Sequence, residues 1–132
     1  MLALKTILAR NERLPLMVFD EIDIGISGRV AQLVGRAMKA LSQDHQIISI
    51  THLAQIAACG DAHYLAEKKV SKGTTSSQLR RLKEDEHVAE VARLISGDML
   101  TSSSLENAKA LIAEATITNG SARKKSKSVV TA

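Results

Sequence analysis

The sequence predicts an α/β fold in which parallel strands are flanked by helices. Two short aliphatic runs, Leu16-Met17-Val18-Phe19 and Ile47-Ile48-Ser49-Ile50, stand either side of a well-patterned amphipathic helix. Each run ends abruptly in polar residues, Asp20-Glu21 and Thr51-His52. A continuous apolar run of that length is expected of a strand buried on both faces of a parallel sheet. Apolar residues make up 45% of the 132-residue chain, enough for a real core, and only Phe19 and Tyr64 are aromatic, so that core is aliphatic.

Taken in chain order, Ala3, Leu4, Ile7 and Leu8 fall at helical spacing, so the chain starts in a helix. Asn11-Glu12-Arg13 breaks the pattern, and the one proline, Pro15, hands over to the first strand. After that strand, Ser27 or Gly28 caps a helix whose apolar positions are Val30, Leu33, Val34, Ala37, Met38 and Leu41, with Arg29, Gln32, Arg36 and Lys39 on the wet face. The second strand then completes a strand–helix–strand unit, which requires parallel pairing and a right-handed crossover. Leu53 to Cys59 makes a short helix stopped by Gly60, and His63 to Val70 pairs with Gln78 to Leu82 as a hairpin around Lys72-Gly73. Val88, Val91, Ala92, Leu94 and Ile95 form a helix ended by Gly97. Ser103-x-x-Glu106 reads as a capping box ahead of Leu105, Ala108, Leu111, Ile112 and Ala115. Residues 1–118 are the folded body, and 119–132, polar and basic without a period, form a disordered tail.

Charge and cysteine content exclude several function classes. The net charge of +4 lies entirely in the tail, in Arg123, Lys124, Lys125 and Lys127, which leaves 14 basic and 14 acidic residues in the body. The body is therefore no basic DNA-binding module, and with two aromatic residues it has no stacking platform for single strands. One cysteine, Cys59, excludes an internal disulfide and a multi-thiolate metal site; core filler is the reading that fits it. No signal peptide and no run of roughly 20 apolar residues is present, so a cytoplasmic chain without membrane contact is expected.

In open parallel sheets the ligand crevice lies beyond the carboxyl ends of the strands, where this chain carries Asp20, Glu21, Thr51 and His52. An aliphatic strand ending in Asp-Glu suits nucleoside-triphosphate hydrolysis. Asp20 would hold a magnesium ion, which keeps several waters and takes only one or two carboxylates. Glu21 would orient or deprotonate the attacking water, and His52 would meet a terminal phosphate. The plainer reading is that strand-end carboxylates cap helices or sit solvated in loops, and that His52 is structural. Asp23, on the loop that follows, either reaches a partner subunit or caps the next helix. His45, His63 and His87 lack metal-ligand spacing.

LMVFDEIDIGISG resembles the extended Walker B and D-loop of the RecN-type DNA repair ATPases, the SMC-like branch of the ABC ATPases. THLAQIAACGDAHY resembles that family's switch-histidine segment, and VAEVARLISGDMLTSSSLENAKALI its C-terminal helices. The resemblance covers about residues 1–115 and implies part of a P-loop NTPase head. It gives Asp20 the magnesium role, Glu21 the catalytic-water role and His52 the γ-phosphate contact, with ATP and Mg²⁺ as cofactors. Asp23 to Ser27, including Gly25, would form the D-loop at a head–head homodimer interface beside the second nucleotide. Ala54 stands where family members usually have proline.

The sequence has no G-x-x-x-x-G-K-[ST] loop, which would cradle the β and γ phosphates, and no SGGE-type signature. The expectation is a C-terminal piece of the head that begins at an internal methionine just after the signature, with apolar surface on both strands left uncovered. The parent activity implied is ATP-driven double-strand break repair and recombination on bacterial, nucleoid-associated DNA, with the chain alone inactive. Two other classes fit less of the pattern. A receiver-like phosphoacceptor domain would use Asp20, Glu21, Asp23 and Thr51, but the five-fold βα alternation with a closing lysine is missing. A non-catalytic interaction module would hold DNA or an acidic partner through its four tail cations, which neutralise at most about four phosphates.

Overall fold

The computed structural model describes residues 15–20, 22–71, 74–117 and 129–131. The helix expected at the start of the chain, Glu21, Lys72-Gly73 and most of the tail lie outside the described residues. The described elements are β1 (Leu16–Asp20), α1 (Gly28–Leu41), β2 (Gln46–Ile50), α2 (Ala54–Ala57), β3 (Ala62–Ser71), β4 (Thr74–Arg81), α3 (Glu84–Ser96), α4 (Ser102–Ile117) and β5 (Val129–Thr131). They form an α/β fold with a sheet in the order β1-β2-β5-β3-β4. β1 and β2 are parallel, as the strand–helix–strand reading requires, in a register that pairs Leu16 with Gln46 and Asp20 with Ile50. β5 runs parallel to β2 on one side and to β3 on the other, and β3 and β4 make the antiparallel hairpin.

Helix α1 covers one face of the β1–β2 pair. Met17 and Phe19 from β1, Ile47 from β2, Ala31, Met38 and Leu41 from α1 and Ile56 from α2 form one cluster, edged by Ile22, Ile26, Val34 and Leu53. Full burial of a side chain such as Phe19 or Ile47 is worth roughly 1.5–3 kcal/mol, so these positions pin the register. The reading of strands buried on both faces is corrected here. Along β1, exposed and buried residues alternate, with Leu16 47% and Val18 49% exposed, because no described element covers the opposite face. Ile50 on β2 is 45% exposed in the same way. The stripe expected on α1 also divides: Val34, Met38 and Leu41 pack inward, whereas Val30, Leu33 and Ala37 face out.

Close approach fixes the seat of α1 on α2. A Cβ added at Gly35 would stand 2.8 Å from Cys59 Sγ and 3.0 Å from the Gln55 carbonyl oxygen. Cys59 is buried there, its thiol against the Gln55 carbonyl at 3.3 Å, and burial pushes its pKa up, consistent with core filler. A second cluster joins Ala54, Ala57 and Ala58 to Val91, Ala92 and Ala108, with Val88, Leu105 and Leu111 around it, and so binds α2, α3 and α4 together.

Helix ends follow local chemistry. The Glu86 carboxylate accepts the Lys83 N–H at 2.8 Å at the start of α3, and Gly97 ends that helix at φ +76°. For α4 the capping box sits two residues earlier than Ser103-x-x-Glu106: the Ser104 hydroxyl accepts the Thr101 N–H at 2.9 Å, and Thr101 Oγ1 accepts the Ser104 N–H at 3.1 Å. Thr and Ser at that spacing meet the same need as Ser and Glu. The tail also departs from expectation at its end, where Val129–Thr131 enters the sheet between β2 and β3. Two β-branched valines and a threonine suit a strand, and that slot offers an open edge on either side.

Gly35→Ala is expected to lower stability by about 1–3 kcal/mol, because the methyl group meets backbone as well as the thiol. A lower urea midpoint at unchanged slope is the result expected, and an unchanged midpoint would show that α1 does not sit this close to α2.

Candidate functional site

The register of β1 against β2 brings Asp20 and the Thr51-His52 turn out of the sheet at the same edge. Asp20, the last residue of β1, is exposed, and Glu21 beyond it lies outside the described residues. The chain then turns through Ile22–Gly25 to Ser27, which opens α1. Gly25 has φ +74° with open space around the position a Cβ would take, so the glycine answers a backbone requirement rather than a crowded one. Ser27 is extended at the N-cap position, and its carbonyl receives the Ala31 N–H at 2.8 Å while its side chain makes no capping bond. Gly25 and Ser27 both face solvent.

Asp23 turns the other way. It is 3% exposed, and its Oδ2 accepts the Thr51 hydroxyl at 2.6 Å and the His52 backbone N–H at 3.0 Å, with His52 Nδ1 at 3.2 Å. Burial by itself would raise the Asp23 pKa. The hydrogen bonds from Thr51 and from the His52 N–H outweigh it and hold the carboxyl below its ordinary value, so Asp23 is an anion. Thr51 Oγ1 in turn accepts the Leu53 N–H at 3.0 Å, which shapes the turn into α2. The His52 side chain stays 73% exposed beyond this knot.

Of the residues singled out in the sequence, Asp23 and His52 are therefore in contact. Asp20 shares their edge, and Gly25 and Ser27 lie on the outer side of the same loop. Asp23 neither caps α1 nor points outward; it ties the exit of β1 to the exit of β2. Thr51 is the member whose role the sequence does not disclose. Its only signal is a hydroxyl placed directly after an aliphatic strand, opposite an acidic loop. Among the described residues no three His, Cys, Asp or Glu side chains converge on a metal position. A single exposed strand-end carboxylate such as Asp20 is still compatible with magnesium, which needs only one or two carboxylates beside phosphate oxygens and water.

No family model matches the chain. Similar curated proteins do. The chain is 39% identical over 111 residues to the DNA repair protein RecN of Vibrio cholerae, a match covering 84% of the chain. It is 41% identical over 116 residues to RecN of Halalkalibacterium halodurans and 45% identical over 112 residues to RecN of Rickettsia conorii, covering 88% and 85% of the chain. The chain matches part of RecN. It spans about one fifth of the length of these relatives, 20% of the Vibrio and Halalkalibacterium proteins and 21% of the Rickettsia one. Among the described residues of this RecN-like chain, no helix is long and apolar enough to cross a membrane.

Away from the sheet edge, the RecN-like chain brings together two histidines that sit far apart in sequence. His63 on β3 and His87 on α3 have ring centroids 4.7 Å apart, and His87 Nε2 lies 3.2 Å from the Ala57 carbonyl oxygen. Burial first and then the charge of His87 push the His63 pKa down to about 4, and burial lowers that of His87. Between that value and the ordinary one near 6.5, the unfolded chain binds the proton that folded His63 refuses, so stability rises with pH across this window. Moving from pH 7 to pH 5 is expected to cost about 2 kcal/mol at His63 alone. His63→Phe is expected to flatten this slope in urea titrations, and an equal slope in both proteins would contradict a neutral buried His63.

Proposed function

We propose that this chain supplies one corner of the ATP site in a RecN-like head of P-loop NTPase type acting in DNA repair. The observation that carries the proposal is the sheet edge itself: an exposed carboxylate, Asp20, and a presented imidazole, His52, leave two register-matched parallel strands side by side. Asp20 would hold magnesium, which when bound supplies charge neutralisation for a β- and γ-phosphate pair. Glu21 would orient and accept a proton from the attacking water, and His52 would face the γ-phosphate. Gly25 and Ser27, on the solvent side of the loop, are the D-loop residues free to meet a second head, whereas Asp23 is committed inward.

The sheet face that no described element covers supports the same reading. Leu16, Val18 and Ile50 are each nearly half exposed, and Val30 and Leu33 add apolar surface on α1. Apolar surface of this kind fits cover by further parts of a larger protein, and RecN relatives carry about four times the length of this chain. The remainder of such a head would bring the phosphate-cradling loop, the signature and the coiled coil, with head–head dimers closing on nucleotide and DNA engaged by the assembled protein. Phosphoryl transfer relies almost wholly on positioning and charge stabilisation. Without a phosphate cradle the chain alone is expected to show negligible ATP turnover.

A chimera tests this: Vibrio cholerae RecN with its corresponding segment replaced by residues 1–115 of this chain. ATP hydrolysis by the chimera should fall by about 100-fold or more with Glu21→Gln, the size of a lost general base. Undiminished turnover in that variant would contradict the assignment. Hydrolysis by the isolated chain that Glu21→Gln abolishes would instead contradict the expectation of negligible turnover without a phosphate cradle.

A further inference from the structure

We infer that Asp23 is the positioning residue for His52, fixing both the direction of its ring and which ring nitrogen carries the proton. This deepens the phosphate-facing role proposed for His52 and rests on that role only for its functional consequence. The Asp23 carboxylate is buried and ionised, so its oxygens are acceptors only. Oδ2 already takes the Thr51 hydroxyl at 2.6 Å and the His52 backbone N–H at 3.0 Å, and these two bonds hold it in place. His52 Nδ1 stands 3.2 Å from the same oxygen. An acceptor-only partner admits Nδ1 solely as N–H, which makes the neutral ring the Nδ1–H tautomer with Nε2 directed away from the carboxylate.

An imidazole that is 73% exposed would otherwise sample several rotamers and both tautomers. A flip of the ring would set a carbon against Oδ2 and lose the ion-pair contact, so the contact selects one face. When the ring carries both protons, Nδ1–H stays on the Asp23 side and Nε2–H points outward to an incoming phosphate oxygen. Asp23 thus acts through His52 and touches no reacting atom itself. Because Asp23 belongs to the loop that also presents Gly25 and Ser27, the direction of His52 is set by the conformation of that loop.

Tautomers are read from long-range ¹H–¹⁵N correlation spectra of the ¹⁵N-histidine-labelled chain, at a pH where imidazoles are neutral and with no nucleotide present. The chain has four histidines, and His52→Gln identifies the His52 signals by their loss. The pattern expected for His52 is Nδ1–H, shifting in Asp23→Ala toward the Nε2–H form that solvated histidine favours. Thr51→Val should leave the pattern in place, since it removes a support of Asp23 and not the acceptor. An Nε2–H pattern in the unaltered chain overturns the inference whether or not Asp23→Ala folds. Asp23→Asn, nearly the same size, gives a second reading: its amide presents donor and acceptor alike, so a preference for Nδ1–H as strong as in the parent also overturns it. Neither result bears on ATP hydrolysis by the chimera, so the two readings fail separately.

Discussion

The parallel pairing of β1 with β2 beneath α1 is the constraint on which the rest of the structure depends. Phe19 and Ile47 are fully buried from adjacent strands, with Met38 of α1 over them. A slip of one residue in either strand would turn its buried side chain to the open face, so the register is held by the core rather than by hydrogen bonds alone. That register sets Asp20 opposite Ile50, and therefore brings the Asp20 end and the Thr51-His52 turn to one edge. Asp23 then fastens the two exits to each other through three contacts at one buried oxygen. The core thus fixes where the polar groups gather, and the carboxylate fixes how they face.

Among the described residues the β1–β2 pair is covered on one side. Helix α1 serves one face of β1 and β2, while Leu16, Val18 and Ile50 remain on the other. Between β2 and β3 stands only the three-residue β5, whose register reaches Ile47 to Ser49 on one neighbour and Ala62 to His63 on the other. The RecN relatives are about four times as long as this chain.

Most of the element order was legible in the residues because strand and helix periods differ so clearly between Leu16 and Leu41. Less legible was which face each element buries. Four consecutive apolar residues in β1 carry no information about a missing layer, so burial on both faces was the natural expectation and half of it fails. On α1, Val30 and Leu33 have the spacing of core residues and face out, while Ala31 and Gly35, which the pattern passes over, are buried, Gly35 at a close helix contact. The strand at Val129–Thr131 was hidden by the basic run before it, since three residues are too short for a period. At the site, Asp20, Asp23 and His52 were visible as types at strand ends, but Asp23 turning inward onto Thr51 depends on tertiary contacts across 28 positions of sequence.

What most directly decides whether this edge is the metal and nucleotide corner of a RecN-like head is the binding of manganese, in place of magnesium, to the chimera with a non-hydrolysable ATP analogue. Free manganese is counted by electron paramagnetic resonance, so the reading does not depend on turnover. Asp20→Ala should weaken nucleotide-dependent manganese binding by about tenfold or more, the size of the loss when even an outer-shell partner of a metal is removed. Equal binding with and without the Asp20 carboxylate would place the metal elsewhere and contradict the assignment of this edge.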